Sequence, residues 1–576
     1  MKRANWVLAL CTVCGIFSAG TAAAVEAYWE LDGNAAAGWL GTTNVTPLTL
    51  KVNNTVGWRL LKSTGTPNVV GGYSGNTVSA IEGATIGGGG FGVNPNKVTG
   101  AFGTVAGGVK NSAGDRAVVA GGTSNTASGI RSAIGGGYSN TVSGQYATVS
   151  GGSSGLARGT YSTVAGGGPS DPTNPTTTNN VAADDYCTVG GGGFNRAGTF
   201  ETPADLLDTK YATVSGGWYN SASQWYAIVG GGGWNAATGV AATIAGGYKN
   251  TASGHTATVS GGSDNMAQGD YSAVGGGSFN LARGTDSTVA GGGPSDPNNQ
   301  TTTNNVAADY ACTVAGGEGN RAGTLEAPAD FWDGQYATVS GGLNNNACGA
   351  EATVAGGFIN TASGDGATVA GGQNNIAYGT WATVLGGNSN IAGGSCSLAA
   401  GYRAKTTTAG TFVWADYSAA DFNYNTANGF GVRASGGVTF YTNMGLTTGV
   451  TVAAGSGTWG SVSDRNAKDE IKPVDAKEVL DKVVNLPVAT WKYKTEPGAR
   501  HMGPMAQDLY AAFGLGDSDK SITTIDADGV ALAAIQGLNQ RLQEKDAQIQ
   551  HQKTELEEMK TRLAALEALV QKSFRK

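Results

Sequence analysis

Residues 242–256 read Ala-Thr-Ile-Ala-Gly-Gly-Tyr-Lys-Asn-Thr-Ala-Ser-Gly-His-Thr, and residues 257–271 read Ala-Thr-Val-Ser-Gly-Gly-Ser-Asp-Asn-Met-Ala-Gln-Gly-Asp-Tyr. The same unit recurs from about residue 71 to 401, with clean copies starting at Ala337, Ala352, Ala367 and Ala382. Its period of 15 residues, sometimes 14, is too short for helical repeats, which need roughly 33–47. It suits one coil of a β-solenoid, built from a short strand, a glycine corner, a second short strand and a second corner. Gly246-Gly247 and Gly261-Gly262 supply positive φ at the corner. Asn250, Asn265, Asn360, Asn375 and Asn390 fall at the following bend, where Asn tolerates the left-handed region. Stacked Asn side chains predict a ladder from coil to coil. The core per coil is small, so the reading expects neighbouring chains to share it.

Composition agrees. The chain has 576 residues, 96 of them glycine, only 14 proline and 13% charged. There is no Gly-X-Y triplet, which excludes collagen. A net charge of -7 leaves no electrostatic footprint for nucleic acid. We find no phosphate loop, nucleotide motif or metal-ligand cluster, and expect no cofactor and no metal.

Around the repeat the chain divides into modules. Lys2 and Arg3 precede the apolar run Trp6–Phe17, and Ala22-Ala23-Ala24 offers a small-residue cleavage site, so 1–24 reads as a signal peptide. The protein is therefore expected to be secreted or at the cell surface. Residues 25–66 form an N-terminal β module with a strand at Leu48–Val52, 67–401 the solenoid and 402–462 a β connector with strands at Thr411–Ala415 and Val438–Tyr441. At Ser463 glycine thins and charge rises. Residues 463–530 read as a small α/β domain, with helices over Val474–Val484 and Ala506–Phe513 and a strand at Ala489–Tyr493. From about Val530 a helix with Leu538, Leu542, Ile549, Leu556, Met559, Leu563, Leu566 and Val570 on an a/d seam predicts a coiled coil over 531–576.

Blocks of coils are duplicated at an offset of about 125 residues. Insertions at 169–183 and 199–209 recur at 294–308 and 324–333, and Cys187 matches Cys312. At about 4.8 Å per coil the two cysteines stand more than ~30 Å apart, beyond the ~7 Å a disulfide allows. They read as small buried residues, placed near the axis of a trimer.

The Asn-x-Ala-x-Gly…Ala-Thr-Val-x-Gly-Gly pattern resembles the head repeats of trimeric autotransporter adhesins, which implies a homotrimeric parallel β-roll. Residues 535–576 depart from that family, because they lack the alternating strands of a membrane barrel. The 25–66 and 402–462 segments resemble connectors of phage-type tail fibres. A second resemblance rests on Ser463-Asp464-Arg465-Asn466-Ala467-Lys468, His501-Met502-Gly503-Pro504-Met505-Ala506-Gln507-Asp508 and Ile525-Asp526-Ala527-Asp528-Gly529-Val530. In this order they are similar to the self-cleaving intramolecular chaperone of endosialidases and tail spikes (peptidase S74 type). That implies a serine–lysine dyad, Ser463 with Lys468, acting once to cut between Val462 and Ser463, and a supporting place for His501. Five residues on an ideal helix turn through about 500°, so the dyad needs a turn or a neighbouring chain. Ser463-Asp464 also suits a helix cap with Lys468 solvated.

The function expected is an exported trimeric fibre with a cell-surface glycan or protein receptor. Trp218, Trp234, Tyr248, Phe279 and Phe358, after the glycine corner, offer faces for sugars. One alternative is a tail-spike-like polysaccharide-degrading enzyme using carboxylates such as Asp205, Asp208, Asp330 and Asp333. Another is a non-cleaving structural fibre. An ice-binding face along Thr258, Thr338, Thr353, Thr368 and Thr383 is interrupted by Ala273 and Ile228.

Overall fold

The computed structural model describes residues 41–42, 44–168, 180–199, 209–293, 304–324, 333–495 and 498–575. The segment 1–24 read above as a signal peptide, Asp205, Asp208, Asp330 and most of each insertion lie outside these residues. The chain is mainly β and falls into two compact units, up to Arg433 and from Ala434.

The first unit is a parallel β-solenoid of about 22 turns. Each coil contributes two strands of two residues. Thr243–Ile244 pairs with Ile228–Val229 on one side and Thr258–Val259 on the other. Across the coil, Thr251–Ala252 pairs with Ala236–Ala237 and Met266–Ala267. Two parallel sheets thus run along the solenoid with one strand per coil. At the N-terminal end, Leu48–Val52 and Thr55–Leu61 form an antiparallel hairpin, and Thr55–Leu61 pairs antiparallel with Asn68–Gly71. The hairpin covers an edge that would otherwise be open to another strand.

The interior is closed within a single chain. Ala242, Ile244, Asn250 and Ala252 are fully buried, and their counterparts repeat this along the stack. The expected sharing of the core between chains is therefore corrected. A coil of two very short strands brings its walls close enough for Val or Ile, Ala and Asn to fill the space. Cys187 and Cys312 occupy the Ala242 position and are buried in the same way, so the coil itself explains their burial without a trimer axis. Burial pushes their thiols up, to about 12 and about 11.

Buried Asn is tolerated because it is fully used. Asn250 Nδ2 donates to Gly246 O and to Gly262 O in the next coil, both at 3.0 Å. Its Oδ1 accepts the amide of Asn265 at 3.0 Å, and Asn265 repeats the pattern with Asn280. This is the expected ladder, with a different conformation at its rungs. The left-handed residue is the one before the Asn in most coils, such as Lys249 (φ 52°) or Asp264 (φ 55°), and Asn itself is buried. Gly262 (φ 85°) is required at its corner, since a Cβ there would lie 2.1 Å from Gly277 O.

The solenoid outlasts the sequence repeat. Phe412–Ala415, read above as a connector strand, pairs parallel with Leu398–Tyr402 and with Phe430–Arg433. At this end Arg433 Nε pairs with Asp416 at 2.9 Å, and its guanidinium donates to the carbonyls of Tyr402, Asp416, Ser418 and Ala420.

The second unit begins with an antiparallel sheet of Gly437–Tyr441, Gly449–Ala453 and Trp459–Ser461. Helix α1 (Ala476–Asn485) is capped by Asp475, whose carboxylate accepts the amides of Lys477 and Glu478. A two-stranded sheet, Ala489–Trp491 with His501–Gly503, precedes α2 (Ala506–Phe513). Helix α3 runs from Thr524 to Phe574, starting six residues before the expected Val530, because Thr523 Oγ1 accepts the Asp526 amide and caps it there. Ala476 and Leu480 of α1 pack on Val530, Ala533, Ala534 and Gly537 of α3. Arg541 pairs with Asp481 at 2.6 Å, and Lys477 with Glu544.

Candidate active site

The predicted dyad lies where the three-stranded sheet ends. Trp459–Ser461 is its last strand, and the Val462 amide continues the pairing by donating to Gly449 O at 2.9 Å. Val462 is thereby held by backbone bonds, while Ser463 leaves the sheet and is exposed.

A tight turn follows. Asp464 caps the single 3₁₀ turn Arg465–Ala467, its Oδ1 accepting the Asn466 amide at 2.9 Å. Ala467 N donates to Asp464 O and Lys468 N to Arg465 O, and the chain then becomes extended at Lys468. A 3₁₀ turn completes a revolution in three residues, a compact step that keeps positions 463 and 468 close in space. Lys468 Nζ thus lies 2.5 Å from Ser463 Oγ. In the single chain the turn brings the two side chains together. Asp464 does cap a helical turn, but Lys468 faces the serine.

This arrangement places an amine on a hydroxyl adjacent to the Val462 carbonyl. A serine hydroxyl needs a base to become a nucleophile. Lysine serves only as the neutral amine, a form that burial or nearby positive charge favours. In the single chain both side chains are exposed.

His501 is held elsewhere in the fold of this unit. It pairs with Trp491 across the two-stranded sheet, and its ring stacks on the indole at 4.7 Å, with Tyr493 edge-on at 5.7 Å. An aromatic clamp of this kind fixes an imidazole in orientation.

Among the acidic residues weighed for glycan hydrolysis, Asp333 alone is described, and it is exposed. Two carboxylates that sequence reading passed over have a clear structural task. Asp184 Oδ2 accepts the amide and hydroxyl of Thr199 at 2.8 and 3.1 Å, and Asp309 Oδ2 does the same for Thr324 at 2.6 and 2.9 Å. Both pin the chain where an insertion departs. Burial raises the Asp184 pKa, opposed by these bonds from Thr199. Their signal was the Asp-x-x-Cys-Thr-Val match between Asp184 and Asp309 in the duplicated blocks.

The aromatic positions also differ from expectation. Trp234 stacks on Tyr219, and Tyr219 on Phe194, at 4.2 and 3.9 Å, while Trp218 stands edge-on to Phe194. Tyr248 carries Lys249 Nζ over its ring at 5.3 Å. Among the described residues the longest aromatic column lies at the other corner, along Tyr146, Tyr161, Tyr186, Tyr211 and Tyr226. Its signal was a tyrosine two residues before the strand in five successive repeats.

No curated protein matches the chain. Residues 463–514, from the dyad serine through α2 to its C-terminal glycine, match the family model described as the chaperone of endosialidase, Peptidase S74, so the solenoid is followed by a C-terminal chaperone domain of that type.

Proposed function

We propose that the chain is an exported, homotrimeric fibre of the tail-fibre or adhesin kind, assembled by its C-terminal chaperone, which then cuts itself away between Val462 and Ser463. The observation that carries this reading is the contact between Lys468 Nζ and Ser463 Oγ at the first residues of the family match. Lys468 takes the hydroxyl proton as Oγ attacks the Val462 carbonyl carbon. The Val462–Ser463 C–N bond breaks, the Ser463 nitrogen takes up a proton, and an ester links Val462 to Ser463 Oγ. Water hydrolyses the ester, leaving a carboxylate on Val462 and a free amine and hydroxyl on Ser463. Assembly of three chains supplies the burial that favours the neutral lysine, so cutting follows folding. The α3 seam first brings the chains together at high local concentration. Once the chaperone has gone, unfolding no longer runs along the assembly route in reverse, and the fibre is kinetically stable.

The test is intact mass and N-terminal sequencing of the chain made without residues 1–24, beside Ser463→Ala and Lys468→Ala. The wild type should give a fragment beginning at Ser463, absent from both variants. An uncut wild-type chain that is nonetheless trimeric would overturn the cleavage and leave a permanent trimerisation domain.

A further inference from the structure

Among the described residues the solenoid carries two columns of three or more stacked aromatic rings. In the longer one, Tyr146, Tyr161, Tyr186, Tyr211 and Tyr226 follow one another with centroids 4.8, 5.2, 4.8 and 5.0 Å apart and planes within 15° of parallel. That spacing equals the step from coil to coil, about 4.8 Å. Each ring therefore lies across the solenoid axis and covers its neighbour's face. Interior rings show solvent only their edges and hydroxyls. At the near end Arg131 covers Tyr146, with its guanidinium 5.3 Å from the ring centroid. The shorter column ends with Trp234.

Beyond Tyr226 the column stops. The Ala241 amide donates to Trp225 O at 2.7 Å, so Ala241 is the next step, and it has no ring. Thr256 and then Tyr271 follow, through amide bonds to Val240 O and His255 O. The Tyr226 face turned toward Ala241 has no ring stacked on it, and Trp225 stands edge-on beside Tyr226 with centroids 6.5 Å apart. Three coil steps, about 14 Å, separate it from Tyr271. The result is a notch with one aromatic wall, a floor of Ala241 and Thr256, and a polar far wall. There His255 packs against Tyr271 at 5.5 Å, and its Nδ1 lies 2.9 Å from Thr256 Oγ1. Asp270 Oδ1 accepts the His255 amide at 2.8 Å and sets the residue's position.

We propose that this notch binds an uncharged hexose unit of a polysaccharide, its C–H face lying on Tyr226 and its hydroxyls meeting Thr256 and His255. A flat ring with an apolar face and a hydroxyl rim matches an aromatic shelf opposite a polar wall. A second copy of the chain is a poorer match, because the residues that continue this corner are Ala241, Thr256, Tyr271, Asp286 and Ala311. They form no continuous apolar strip of the kind a copy-to-copy interface needs. The proposal rests on the solenoid being presented as a fibre. It is read independently of the cut at Ser463, so either can fail alone.

The test fills the notch. Ala241 sits at φ 56°, and Tyr226 and Tyr271 occupy the same corner at 58° and 57°, so the fold accepts Ala241→Tyr, which extends the column over that face. Full chains are run through gels containing amylose, dextran, mannan or laminarin, and titrated with oligosaccharides of whichever polymer retards them, following tryptophan fluorescence. The wild type should be retarded by at least one polymer. Ala241→Tyr should weaken binding about tenfold or more. Tyr186→Ala, which removes an interior ring and leaves the Tyr226 face in place, should bind as the wild type does. Wild-type chain retarded by none of these polymers, or Ala241→Tyr binding as tightly as the wild type, would overturn the proposal. So would self-association, in place of glycan binding, that Ala241→Tyr abolishes.

Discussion

The solenoid up to Arg433 and the unit from Ala434 bury their apolar residues in opposite ways. Within the solenoid, Ile244, Val259, Ala252 and Ala267 are fully enclosed by the chain's own coils. Beyond the α1 contact, α3 carries Leu538, Leu542, Ile549, Leu556, Met559, Leu563 and Leu566 on its surface, each about half exposed. One unit encloses its core within its own chain, whereas the other leaves an apolar stripe of its long helix exposed. The difference lies in the geometry of the elements. A coil closes on itself and stacks on its own successor, so its core needs no partner. A straight helix has nothing of its own chain to turn its stripe toward, and a sustained a/d seam buries itself only against other helices.

The largest effect should come from breaking the seam. In a Ser463→Ala background, which keeps the helix attached, Leu556→Asp with Leu563→Asp should convert a trimer to monomer in analytical ultracentrifugation. Unchanged mass would show that the seam is not what assembles the chains.

A change on the other side of the comparison should be local. Asn250→Ala orphans the Asn265 amide and the Gly246 carbonyl, while Gly262 O keeps the Tyr248 amide. At about 1–3 kcal/mol for each buried group left unpaired, the cost for the two is roughly 2–6 kcal/mol. Hydrogen exchange should rise in the coils around residue 250 while α1 and α3 stay protected. Exchange rising equally in both units would mean that they unfold as one.

Alkaline pH should separate the units more gently. Burial raises the Cys187 and Cys312 thiols from the ordinary 9.0 to about 12 and about 11. Their neutral form is favoured in the fold, so this contribution is intact below pH 9 and is lost as pH rises from there toward 11–12. Thermal melts of the solenoid should show an alkaline decline that Cys187→Ala with Cys312→Ala reduces, since Ala fills the same position in most coils. An identical decline in the double variant would remove the thiols as its cause.

The smallest effect should come from the tyrosine column. Tyr186→Ala loses two stacking contacts at an exposed corner and should cost about 1–2 kcal/mol by chemical denaturation. A much larger loss would mean that the column carries the solenoid mechanically.

Several elements show how far sequence reading reaches. The glycine pair, the Asn and the Ala-Thr-Val run determined the parallel solenoid, because each residue type fits one position of a short repeated coil. The a/d spacing of α3 likewise determined its long helix, and the polarity of Asp464 its capped turn. Other features depended on distance in space. Phe412–Ala415 joins the parallel stack without the repeat, because strand pairing is backbone chemistry and tolerates many side chains. That the core closes in one chain, that the left-handed residue precedes the Asn in most coils, and that tyrosines one coil apart cover each other's faces all depend on how coils lie on one another. The Ser463–Lys468 contact belongs to both. Its residue types stood in the sequence, but only the compact 3₁₀ turn between them brought amine and hydroxyl together.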